Sequence, residues 1–190
     1  MASTKGRALI ILAEGAEEME AVITADVLRR GKVETVIAGL SGADPVQCSR
    51  QVVLKPDISL AEACKEKPFD AVVLPGGGGG SKKLAQSAEV KKILKDQEQR
   101  DGFIAAICAG PTALAAHGIG VGKTVTSYPS VKDKFKDYKY SEERVVQDGK
   151  LITSRGPGTA FQFAIEIVRA VRGNDGVADE LAAPMLLQEM

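Results

Sequence analysis

Residues 102–118 read GFIAAICAGPTALAAHG. Phe103 to Ile107 is an apolar run of strand length, Cys108 follows at once, and Thr112 to His117 is a helix-forming run. A buried strand that turns directly into a helix places its junction residue at the carboxyl edge of a sheet and over a helix N-terminus. The positive end of a helix favours an anion, so the pattern predicts a lowered pKa and thiolate character for Cys108. Ala109 and Gly110 are small enough for a sharp turn, and Pro111 suits the first helical position, where its missing N–H costs nothing. The stretch is the cysteine counterpart of a nucleophile elbow. The alternative is a buried structural cysteine, which is how most free cysteines behave; the local pattern favours the reactive reading.

Working outward, Arg7 to Ala13 and Phe69 to Leu74 are continuous apolar runs, the pattern of central parallel strands covered on both faces. Ala16 to Arg30 reads as a helix with Met19, Val22, Ile23 and Val27 as its apolar stripe, and Val33 to Leu40 as a second strand. Val46 to Leu54 offers one or two short strands, and Ser59 caps a short helix running to about Lys65. Gly76 to Gly80 are expected to form a loop. Such a run is costly in chain entropy and suits either close backbone approach or a floppy connector. Beyond it come a helix from Ser81 to Arg100, a strand from Lys123 to Tyr128, a charged surface excursion over 130–142 and a hairpin over Val145 to Thr153. Helices over Thr159 to Arg172 and about Val177 to Leu187 close the chain. Strands alternating with helices imply an α/β fold with a mostly parallel sheet between helical layers. Without internal repeat or linker, the 190 residues read as one domain, 1–190.

Charge is balanced, with 25 basic and 25 acidic side chains, and aromatics are 4%, which argues against a dedicated nucleic-acid surface or a polybasic membrane patch. Cys48, Cys64 and Cys108 are widely spaced and odd in number, as in a reducing compartment, and no Cys/His cluster has metal-ligand spacing. The sequence shows neither an export signal nor a membrane span.

The strands ending at Ala13, Leu74 and Ile107 deliver their loops to one sheet edge. There Cys108 is the candidate nucleophile, and the 76–80 glycines with the Ala109 N–H are candidate donors to an oxyanion. Glu17, Glu18 and Glu20 sit on the first turns of the first helix, where acids are usually solvated. Glu20 lies closest to the apolar stripe and is the one expected to be partly buried, with a raised pKa and a proton to donate to sulfur. The only histidine, His117, is nine residues past Cys108 on the same helix, on the opposite face and roughly 13 Å along the axis, so no Cys–His dyad forms within the chain. GIGVGKT at 118–124 is one residue short of a P-loop and follows a helix.

LAEGAEEMEAV (12–22), IAGL (37–40), DPVQCSR (44–50), VVLPGG (72–77), AAICAGPTALAAHGIG (105–120) and SRGPGTAFQFA (154–164) closely resemble the ThiJ/PfpI superfamily over nearly the whole chain. The resemblance implies a flavodoxin-like, class I glutamine amidotransferase-like three-layer sandwich and a homodimer. It implies an oxidation-sensitive nucleophile at Cys108, held by a protonated Glu20 carboxyl, with the Gly77 and Ala109 amides at the oxyanion site. Arg30 and Arg50 match arginines near the dimer seam. The activities it implies are glyoxalase or deglycase action on methylglyoxal and glyoxal adducts of proteins or nucleotides, redox-regulated chaperoning, and protection from oxidative stress in cytosol, nucleus and mitochondria. It implies no metal or organic cofactor.

Two positions depart from the superfamily. Tyr128 stands before Pro129 where a histidine is frequent, leaving a substrate-side phenol that is a poor base near pH 7, and Lys55 stands where a second cysteine is frequent. Three readings remain open from sequence: a cysteine-dependent deglycase or glyoxalase, a redox sensor and chaperone signalling through a Cys108 sulfinate, and, against the missing histidine, a protease.

Overall fold

The computed structural model describes residues 5–187; residues 1–4 and 188–190, the ends of the expected single domain, lie outside the described residues. Strands β1 (Arg7–Leu12), β2 (Glu34–Gly39), β5 (Ile58–Ser59), β6 (Ala71–Leu74), β7 (Phe103–Ile107), β10 (Val145–Asp148) and β11 (Leu151–Ser154) form a seven-stranded sheet in the order β10-β11-β7-β6-β1-β2-β5. All neighbours are parallel except the β10–β11 hairpin. Two short strands, β3 (Val46–Gln47) and β4 (Val53–Leu54), pair separately as an antiparallel ribbon.

Side chains alternate across a strand, so each central strand feeds two cores. From β1, Leu9 and Ile11 pack on one face with Val72, Leu74 and Ile104, beneath α3 (Gly78–Gln86), α4 (Ala88–Gln99) and α5 (Pro111–His117). Ala8 and Ile10 pack on the other face with Val73, Ile107, Phe163 and Val168, beneath α1 (Glu18–Arg30) and α6 (Ala160–Arg172). The short helix α2 (Leu60–Ala63) carries the Ser59–Glu62 capping box that its sequence predicts. The chain winds from β1 outward to β2 and β5, then crosses to β6 on the other side of β1. The crevice at the ends of β1 and β6 is therefore a topological switch point, where open α/β sheets hold ligands.

Four expectations change. Gly78 to Gly80 are the first turn of α3 and not a loop. A Cβ at Gly80 would come within 2.8 Å of the Ala16 backbone, so tertiary approach overrides the poor helix propensity of glycine there. The long helix expected after them breaks at Ser87, whose hydroxyl caps α4. Lys123 to Tyr128 supplies only β8 (Thr124–Val125), paired with β9 (Lys139–Tyr140) outside the main sheet. At the C-terminal end, only Val177–Glu180 is helical, as a 3-10 turn. The charged excursion over 130–142 is anchored by the buried Phe135 ring, edge-on to Tyr138. None of the described helices is long and apolar enough to cross a membrane.

Phe163 is the largest fully buried side chain between α6 and the sheet. Phe163→Ala is expected to lower unfolding free energy by about 3–5 kcal/mol in chemical denaturation, the range for emptying an aromatic site in a packed core.

Candidate active site

Cys108 follows β7 directly and carries φ +64°, a left-handed conformation costly for a side chain with Cβ. The corner is held from both sides. Its N–H donates to Ser154 O at 3.0 Å, extending the β7–β11 register by one residue, and its carbonyl accepts from Tyr128 N–H at 2.8 Å. Gly110 tucks under the turn, where a Cβ would come within 2.6 Å of Leu74 O. Pro111 opens α5 as the sequence predicts.

Glu20 reaches the same point from α1. It is fully buried, and its Oε2 accepts the Gly76 N–H at 2.7 Å. Its Oε1 is buried without a partner of hydrogen-bonding geometry, while the carboxyl lies within reach of the Cys108 thiol. Gly76 separates the two groups: a Cβ there would sit 2.6 Å from both Cys108 Cβ and Glu20 Oε2. Gly77, with φ +84°, has no room for a side chain against Gly15 O, and its amide and that of Ala109 both face the sulfur.

All three first-turn acids are buried, which corrects the expectation of solvated acids: Glu17 is 9% exposed and Glu18 6%. Glu18 accepts the Arg50 N–H at 2.8 Å, and Glu17 and Glu18 both accept from Ser49 Oγ. Their partners come from the turn joining β3 to β4, so these carboxylates pin that turn to α1. The expected apolar stripe is split: Met19 is 52% and Val22 46% exposed, whereas Val27 is buried and Ile23 packs against the core.

The expected low thiol pKa is also corrected. Burial, followed by the Glu20 charge and hydrogen bond, pushes the Cys108 thiol up to about 12, against the Gly77 and Ala109 amides that favour thiolate. Burial likewise raises the Glu20 carboxyl to about 7. The helix end that sequence points to is outweighed because the sulfur is mostly enclosed and faces a carboxyl. The two groups titrate as one unit. A single negative charge enters the pair as pH rises through about 7. Keeping the proton on Glu20 removes both of that carboxyl's upward pushes on sulfur, leaving burial opposed by two N–H donors.

The other sequence-picked residues lie further out. Tyr128 touches the site through its backbone, with its ring 3.6 Å from the Cβ position of Gly156. Arg50 is exposed on the β3–β4 turn, and Arg30 ends α1, ion-paired with Asp26. Neither arginine is brought to the thiol within this chain. His117 is buried, with Nε2 2.9 Å from Leu84 O on α3, and takes no part. Sequence reading misses Ser154 as the strand partner of the corner; its one signal is the SRGPG loop that it opens.

A strained cysteine after a parallel strand, a buried carboxyl and convergent backbone amides define a cysteine-elbow α/β protein. A family model, the DJ-1/PfpI family, matches residues 6–170, and the chain belongs to that family. It is 56% identical over 186 residues to the Parkinson disease protein 7 homolog of Danio rerio, covering 96% of this chain and 98% of that one. It is 43% identical over 189 residues to the glutathione-independent glyoxalase DJR-1.2 of Caenorhabditis elegans, covering 98% and 99%. The crystal structure of Drosophila melanogaster DJ-1beta superposes with a TM-score of 0.94 at 49% identity, covering 97% of this chain and all of that one.

The raised Glu20 pKa has a stability signature. A carboxyl that holds its proton more tightly folded than unfolded gives stability that is fully present below about 4.5 and is lost as pH rises to about 7. The loss is about 3 kcal/mol at roughly 1.4 kcal/mol per unit. Chemical denaturation across pH 4–8 should show this fall in the wild type, and Glu20→Gln should flatten it.

Proposed function

We propose that this chain, as one ThiJ/PfpI domain spanning 1–190, is a cysteine-dependent glyoxalase and deglycase acting on methylglyoxal, glyoxal and their adducts. The observation that carries the reading is the Glu20–Cys108 pair: a carboxyl buried enough to hold its proton up to about pH 7, beside a thiol faced by two backbone amides. The glyoxalase named among its relatives supports the same chemistry.

The steps balance without an external oxidant. Cys108 sulfur attacks the aldehyde carbon of methylglyoxal, and the carbonyl oxygen takes a proton originating on the pair, giving a hemithioacetal. The Gly77 and Ala109 amides stabilise the oxygen while it is negative. Glu20, now a carboxylate, removes the hydrogen of the former aldehyde carbon and returns it to the neighbouring carbon. The electrons left behind pass through an enediol, in which the hydroxyl proton of the sulfur-bearing carbon moves to the oxygen of its neighbour, so one carbon becomes a thioester carbonyl as the other becomes an alcohol. Water cleaves the thioester to release lactate and restore the thiol. For an adduct, the departing amine or thiol frees the same carbonyl carbon before attack. Tyr128 borders the substrate side and is not required as a base.

A second reading, sensing and chaperoning through a Cys108 sulfinate, uses the same groups. A protonated Glu20 and two amides suit a sulfinate oxygen as well as an oxyanion, and an accessible thiolate oxidises stepwise. The placement proposed is cytosolic with nuclear and mitochondrial pools, in the service of oxidative-stress protection.

A homodimer is part of the proposal. Met19 and Val22 on α1 and Val52 and Val53 on the β3–β4 ribbon are large, apolar and exposed, on segments that Glu18 ties together. Such a patch is the usual mark of an interface. Arg30 and Arg50, on the same two segments, are proposed to lie at that seam.

Lactate formation from methylglyoxal should vanish in Cys108→Ser and fall about 10²–10⁴-fold in Glu20→Gln, the usual worth of a general acid–base. Turnover untouched by Glu20→Gln would favour sensing. Mild peroxide should then add two oxygens to the Cys108 peptide in wild type and fewer in Glu20→Gln, by intact and peptide mass. Val22→Glu and Val53→Glu are expected to give monomers by sedimentation equilibrium.

A further inference from the structure

A groove of about 750 Å³ begins where the thiol site ends. Gly78 and Ala109, which border it, directly follow Gly77 and Cys108. From there it runs between α3 and α5, closed on its far side by Val131 and Lys134 of the 129–134 turn. Its walls are small: alanine at 85, 109, 115 and 116, with Thr112 between. Small walls let an extended chain lie close to two helices without displacing side chains.

Its charge is one-sided. Lys82 and Lys134 line it, and none of its lining residues is acidic. Neighbouring lysines are neutralised, Lys83 by Glu14 and Lys132 by Glu142, whereas among the described residues Lys82 and Lys134 have no ion-pair partner. Ser81, also in the lining, carries a buried hydroxyl with no hydrogen-bond partner. A buried hydroxyl without a partner is a donor left for an incoming oxygen.

We propose that this groove holds an extended acidic peptide segment flanking the modified residue, so that the deglycase substrates of Cys108 are adducts on acidic stretches of polypeptide. The proposal rests on the Cys108 reading and adds its specificity. Lys82 lies one helical turn beyond Gly78, about 6 Å along the axis at 1.5 Å per residue. An extended chain covers that distance in about two residues. The acid therefore belongs two residues from the adduct.

The test uses the full chain and three short peptides carrying a methylglyoxal adduct, with Asp, Asn or Lys two residues away. At low salt the Asp peptide should have a KM about tenfold below the Lys peptide, with kcat equal, and the advantage should shrink in about 0.5 M salt as screening predicts. In Lys82→Ala/Lys134→Ala the three peptides should converge to one KM. Unmodified Asp peptide should bind Cys108→Ser protein more tightly than the Lys peptide in fluorescence anisotropy. Equal KM values for the three peptides in wild type overturn the proposal. So does a preference that survives loss of both lysines, or displacement of the Asp peptide by equimolar inorganic phosphate, which would make the groove a small-anion site. Absence of turnover with free methylglyoxal overturns the Cys108 reading instead, while the anisotropy arm still reports on the groove.

Discussion

The contact on which the rest depends is the bond from the Gly76 amide to a carboxyl with no access to water. Three chain segments meet there: α1 brings Glu20, the end of β6 brings Gly76, and the corner after β7 brings Cys108. A charged carboxyl so placed is expensive, and the structure meets the cost by letting it keep its proton to about neutral pH. The same enclosure suppresses ionisation of the sulfur, so the proposed reactivity is a property of the pair. In the proposed function, a proton shared between carboxyl and thiol would give an acid and a nucleophile from groups that are each mismatched to that role alone.

Glycine makes this proximity possible. At 76 a single methyl would occupy the space where carboxyl and sulfur approach, and at 77 the positive φ aims an amide at the sulfur while the backbone lies against Gly15. Gly80 lets the first turn of α3 rest on the Ala16 backbone, so the chain leaving β1 and the chain leaving β6 are locked to each other. Such precision on backbone atoms suits a site whose donors must be in place before charge develops.

Much of this is legible in the residues. The apolar run to Ile107, the small pair at 109–110 and Pro111 specify strand, corner and helix, and the alternation of elements specifies the layered sheet. What sequence misplaces has a common physical origin. Periodicity treats acids as solvent-facing and so puts Glu17 and Glu18 outside, although the β3–β4 turn offers them amide and hydroxyl partners from 31 or more residues away. Glycine propensity is local, so it hides the helical start of α3. A helix end can be read from sequence, but enclosure of the sulfur cannot, and enclosure decides its pKa. The pattern from Lys123 to Tyr128 says strand without saying which sheet, and only Thr124 and Val125 pair at all.

The corner at Cys108 is fastened to position 128 by a main-chain amide alone. Any residue other than proline supplies that amide. The side chain there is thus an exchangeable part: replacing an imidazole by a phenol alters the surface beside the corner while the bond that shapes the corner stays intact. A position held this way can exchange its side chain in a single step without loosening the turn that it braces.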